Sequence, residues 1–110
     1  MKEVGKKIIV KKARVSNRTR IKKPLIIASG SACFWVHNGP ILCHLLDLHR
    51  CLETIKPEQY NYHVGRLGND FARWVRQVLR DDDCGQALVE ATSATEAHQI
   101  VTKCLKKYSF

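Results

Sequence analysis

The sequence has no CxxC pair, no complete catalytic signature and no apolar run of the roughly 18–20 residues that cross a bilayer. Its five cysteines, Cys33, Cys43, Cys51, Cys84 and Cys104, are odd in number and widely scattered. That excludes a secreted disulfide framework, and the thiols read as small buried apolar residues of a reducing, cytoplasmic compartment. The five histidines, His37, His44, His49, His63 and His98, form no zinc-ligand spacing with those cysteines, so neither a metal nor a cofactor is expected.

Pro24 to Val36 is a 13-residue uncharged stretch behind a basic one. A secretory signal has that order, but a 23-residue basic lead and the interruption by Ser29, Gly30 and Ser31 argue against one. A buried extended segment is expected instead. An organelle transit peptide is the alternative for the basic, nearly acid-free start; Ile8, Ile9, Val10 and Val15 oppose it, because β-branched residues weaken helical character.

Acid is what the first 24 residues lack. Lys2, Lys6, Lys7, Lys11, Lys12, Arg14, Arg18, Arg20, Lys22 and Lys23 stand against Glu3 alone, a net of +9 that is the whole formal charge of the chain. From Leu25 to Phe110, nine basic residues are balanced by nine acidic ones. Such asymmetry marks an interaction tail. Crowded like charges, β-branched apolar residues and the closing Pro24 favour an extended arm over a helix or packed element. Against a phosphate-dense surface its lysines and arginines would release counterions, while Ser16, Asn17 and Thr19 would donate hydrogen bonds to the nucleic-acid backbone. A solubilising tail is the bland alternative.

The remaining 86 residues suffice for one small domain, burying about 60–65% of its unfolded surface and leaving little room for a deep cleft. Cys33-Phe-Trp-Val36, a His37-Asn-Gly-Pro40 turn and Ile41-Leu-Cys43 predict a β-hairpin. Leu45, Leu48, Leu52 and Ile55 share one face of a helix over about 44–55, and Pro57 opens a second that runs to about His63. Asn69 caps a third, with Phe71, Trp74, Val75, Val78 and Leu79 in one stripe. Its opposite face carries Arg73, Arg76 and Arg80, a candidate second phosphate contact, although a solvated face balanced by nearby acids is the commoner arrangement.

Asp81, Asp82 and Asp83 have no further ligand at calcium-loop spacing and read as the capped start of a helix over about 82–91. Ser93 and Glu96 have capping-box spacing before a last helix over about 94–108, which would present Ala97, Ile100, Val101, Cys104, Leu105 and Tyr108 on one face. The fold class is therefore mainly α: a small domain of four to five short helices over residues 25–110, with a β-hairpin at its start, preceded by an extended basic arm over residues 1–24.

Phe34-Trp-Val-His-Asn-Gly-Pro40, the Leu45–Leu52 helix, Tyr62-His63-Val64 and Asn69-Asp-Phe-Ala-Arg-Trp-Val75 resemble a small family of uncharacterised domains of bacteria and archaea. The resemblance spans residues 33–108 and omits the arm. It implies a mainly helical fold and no activity. His44 and Lys56, at two helix starts, depart from its pattern.

His63 with Asp70 could form a general-base pair, and Cys33 or Cys43 beside a histidine a nucleophile. Neither has a visible third orienting group; His63 packing beside Trp74 with a hydrogen bond to Asp70 or backbone is the plainer expectation, so no enzyme is expected. The favoured reading is an RNA-binding protein, ribosomal or ribosome-associated, contacting RNA through Lys6, Lys7, Lys11, Lys12, Arg14, Arg18, Arg20, Lys22 and Lys23, with neighbouring ribosomal proteins as further partners. The alternatives are a DNA-compacting protein, or an adaptor that recognises a protein through exposed Trp35, Tyr60 or Tyr62.

Overall fold

A computed structural model describes residues 22–110. The expected extended arm lies, over residues 1–21, outside the described residues.

The chain runs β1 (Lys23–Pro24), a 3-10 turn (Gly30–Ala32), β2 (Phe34–Trp35), β3 (Ile41–Leu42), α1 (Leu45–Thr54), α2 (Pro57–His63), β4 (Val64–Gly65), β5 (Gly68–Asn69), α3 (Asp70–Gln77), α4 (Asp82–Val89), α5 (Ala94–Leu105) and β6 (Tyr108–Ser109). The described residues form a mainly helical domain with five helices and a hairpin at its start, as the pattern predicts. β2 and β3 pair antiparallel, with Phe34 opposite Leu42 and Trp35 opposite Ile41. A second, two-rung hairpin joins β4 to β5. β1 pairs with β6 in parallel, Lys23 beside Tyr108 and Pro24 beside Ser109.

Side chains supply the helix ends with the partners their free amides need. His44 caps α1 through Nδ1, which accepts from the Asp47 amide at 3.3 Å, while Asp47 Oδ2 accepts from the Cys43 amide at 2.8 Å. The imidazole takes the capping role usually filled by serine, while the Asp47 carboxylate reaches past the cap residue to the amide before it. Lys56 has no accepting side chain, and Gln59 compensates: its Oε1 accepts from the Lys56 amide, and its Nε2 donates to the carbonyls of His37 and Asn38. That bond set ties the start of α2 to the first hairpin's turn. Asn69, Asp81 and Ser93 cap α3, α4 and α5 as predicted. At α5 the returning arm of the box differs, because Glu96 Oε1 accepts from both the amide and the hydroxyl of Thr92.

Two helix pairs make the core: α1 lies along α5 and α3 along α4. Leu48, Val75, Cys84 and Val101 are wholly buried, with Phe71, Leu42 and Leu88 nearly so; each large apolar side chain contributes about 1.5–3 kcal/mol relative to exposure. The α3–α4 contact is close enough to require a glycine. A Cβ on Gly85 would stand 2.0 Å from Arg76 Cγ and 3.0 Å from the Ala72 carbonyl oxygen.

The structure corrects three expectations. The segment after Pro24 is not buried throughout: Leu25 is half-buried and Ala28 buried, whereas Ile26 and Ile27 are exposed. An extended chain lying over helices turns only part of its side chains inward. Tyr108 is not on the last helix, which stops at Leu105, but in β6, where its backbone is held by the pairing with β1. Tyr60 is buried at 4% exposure, against Phe71, so it is not an exposed recognition aromatic.

Candidate nucleic-acid interface

Of the predicted arm contacts, Lys6, Lys7, Lys11, Lys12, Arg14, Arg18 and Arg20 lie outside the described residues; Lys22 and Lys23 are described and exposed. The Lys23 amide donates to the Lys107 carbonyl at 3.0 Å, and the Nζ atoms of Lys23 and Lys107 each stand 5.9 Å from the centre of the Tyr108 ring. The base of the arm is thus fixed to the basic end of α5, where Lys103 and Lys106 are also exposed. Lysines nearly a whole chain apart become one basic root. Lysines at the C-terminal end of a helix ordinarily complement its dipole, and here they also meet the arm.

One carboxylate holds this root against the helices. Asp81, 4% exposed, caps α4 through the Cys84 amide, accepts from Lys107 Nζ at 2.9 Å and from Tyr108 Oη at 2.6 Å. Burial alone pushes its pKa up, but the bonds from Tyr108, Lys107 and the Cys84 amide outweigh that and hold it below the usual carboxylate value. Burial and the adjacent Asp81 carboxylate push Tyr108 up. For Lys107, burial works downward, and the Asp81 bond and charge reverse it to a net rise.

The predicted arginine face divides. Arg73 donates from both terminal nitrogens to Asp70 Oδ1 at 3.0 Å, so a nearby acid balances it. The stem of Arg76 lies on Gly85, and its exposed end lines a cleft of about 480 Å³ with Leu67, Gly68, Asn69, Arg73 and Asp82. Arg80 follows α3 at φ +60, where the Asp81 amide turns back to the Val75 carbonyl. Sequence reasoning passed over Arg66. The Gly65–Gly68 hairpin lifts Arg66 and Leu67 to its tip, Leu67 being 96% exposed, and Arg66 shares a second depression with Tyr62, His63, Asp70 and Arg73. The Gly-x-x-Gly spacing was the available signal.

His63 is buried, and both ring nitrogens are engaged. Nε2 accepts from the His37 amide at 3.0 Å, which leaves the proton on Nδ1 to be donated to Asp70 Oδ2 at 3.1 Å. Its ring sits edge-on to Phe34 and Phe71, with Trp74 on the other contact of Phe34. The Asp70 bond is as expected; the ring neighbours are Phe34 and Phe71 rather than Trp74. With no free nitrogen, the pair braces the first hairpin against α3. Around it, Trp35 is 68% and Tyr62 64% exposed, and Tyr62 stacks on His37 at 3.9 Å.

The cysteines pair more than their spacing suggests. Cys33 and Cys43, brought together by the hairpin, have sulfurs 3.0 Å apart, and the contact with Cys33 pushes the Cys43 thiol up. Cys84 and Cys104 also influence each other, their interaction raising the Cys84 thiol and lowering Cys104. Neither Cys33 nor Cys43 has the histidine partner that a nucleophile would need among these bonds. Among the described residues, His49, Glu53 and His98 form the cluster able to hold a metal ion, between α1 and α5. No helix of the described residues is long and apolar enough to cross a membrane.

No family model, curated protein or solved structure matches this chain. The resemblance carried by residues 33–108 therefore remains an expectation.

Proposed function

We propose that this chain is a non-enzymatic nucleic-acid-binding protein, RNA-binding and ribosomal or ribosome-associated, whose basic arm enters folded RNA while the helical domain rests at its surface. The observation that carries this reading is charge segregation: the whole +9 lies in the first 24 residues. The anchored lysines at the arm's base extend that charge onto a rigid support, which lowers the cost of ordering the arm on a phosphate surface. An irregular extended arm suits crevices of structured RNA better than a duplex groove, which favours RNA over DNA compaction. The engagement of both His63 nitrogens supports a binding role over catalysis.

The test is deletion of residues 2–23 with nucleic-acid affinity measured by fluorescence anisotropy, beside sedimentation of the intact protein with ribosomal particles at low salt. Loss of affinity on deletion together with cosedimentation is expected. Retained affinity, or absence from the particles, would overturn the respective half of the proposal.

A second reading, an adaptor, is favoured by one feature: Trp35 and Ile41 are opposite each other on the first hairpin and both exposed, at 68% and 48%. Trp35→Ala separates the two. It would remove a protein partner in the adaptor reading and leave arm-mediated RNA affinity intact.

A further inference from the structure

From the placement of His49, Glu53 and His98 we infer a binding site for one divalent transition-metal ion of the zinc class, bridging α1 and α5. One donor atom from each of the three lies within 4.8 Å of the others. His49 and Glu53 are one turn apart on α1, so helical geometry puts both on one face. His98 comes from α5, which packs along α1.

The bonding around the cluster prepares it for a cation. Thr102 Oγ1 donates to the His98 carbonyl at 2.8 Å, so toward His49 it can only accept, and His49 Nε2 stands 3.0 Å away. That assigns the proton of His49 to Nε2 and leaves the ring a lone pair on Nδ1. A histidine whose other nitrogen donates to a fixed oxygen is how metal-bound imidazoles are ordinarily oriented. His98 Nε2 is buried without a hydrogen-bond partner, and Glu53 Oε2 stops 3.8 Å from it. A buried polar atom left so is costly unless something fills the gap.

The two ring centres lie 4.3 Å apart, with the planes inclined by 29°. Two imidazolium ions would repel at that distance; a shared cation instead requires both neutral.

Two imidazoles and one carboxylate suit zinc, cobalt, nickel or copper rather than magnesium or calcium. Bonds of about 2.0–2.2 Å put tetrahedral donors about 3.3–3.6 Å apart, a side-chain adjustment from the observed spacing. Glu53 is exposed, so an ion can enter from solvent, and three protein ligands leave a position for water.

The full chain, reduced, is titrated with Zn2+ by calorimetry and with Co2+ by absorption at neutral pH. Expected are one tight equivalent, a tetrahedral cobalt spectrum without a thiolate charge-transfer band, and a rise in melting temperature with Zn2+. His49→Gln and His98→Gln should each weaken binding at least tenfold. Glu53→Gln, at an exposed carboxylate, should do so with the metal-free melting temperature unchanged, which separates ligand loss from misfolding. A thiolate band at the first equivalent, no binding, or unchanged affinity in Glu53→Gln and His98→Gln would overturn the assignment.

Discussion

Tyr108 donates a 2.6 Å hydrogen bond to Asp81, a residue 27 positions earlier, and so fastens the last strand to the start of α4. Because β1 pairs with that strand, the base of the arm is held through the same carboxylate. Asp81→Ala removes a helix cap and two charge-assisted bonds at once. The expected loss is about 2–4 kcal/mol, with half-exposed Lys107 contributing the smaller share. In a domain of this size the melting temperature should fall by about 10 °C or more; a fall under about 3 °C would show that the cluster carries little.

The same cluster sets a pH window. Asp81 has a folded pKa below its unfolded value, so its contribution is present above the unfolded value near ~3.9 and is lost as pH falls through the folded one. Lys107 and Tyr108 are raised. Their contribution is present below their unfolded values near ~10 and is lost as pH climbs through the folded ones. Denaturation midpoints should be level in between and decline at both ends, and the acid decline should shrink in Asp81→Asn.

Gly85→Ala decides between two opposed effects. Helix propensity favours alanine by up to about 1 kcal/mol. The new methyl would meet Arg76 Cγ at 2.0 Å and the Ala72 carbonyl at 3.0 Å, and backbone cannot withdraw without parting α3 from α4. Net destabilisation of about 1–3 kcal/mol is expected from urea unfolding; a stabilised variant would contradict the packing.

His63→Leu keeps an apolar shape between Phe34 and Phe71 but leaves the His37 amide and one Asp70 oxygen unpaired. A loss of about 1–3 kcal/mol follows. Hydrogen exchange should quicken first in the hairpin around His37, and equal exchange there would argue against a bracing role.

RNA affinity of the intact chain should fall by roughly 10³ to 10⁵ between about 50 and 200 mM salt if six to ten phosphates are contacted. Replacing exposed Lys22, Lys103 and Lys106 together by alanine should flatten the salt slope by about 0.9 for each phosphate no longer neutralised, without moving the melting temperature. An unchanged slope would remove the basic root from the interface.

Features that depend on near neighbours were legible in the chain itself. The helical stripe of Phe71, Trp74 and Val75, the caps at Asn69, Asp81 and Ser93, the turn at His37–Pro40 and the charge of the arm are all set within a few residues, because periodicity, capping and net charge are local quantities. Even His44, an unusual cap, acts within one turn through Asp47. Contacts between distant residues came from packing. It drew Tyr108 off the helix, buried Tyr60, assembled Lys22, Lys23 and Lys107 into one root and brought His98 to His49 and Glu53. Only packing α1 on α5, α4 on α3 and β6 on β1 fixes those pairs, and the spacing of their members along the chain carries no trace of it.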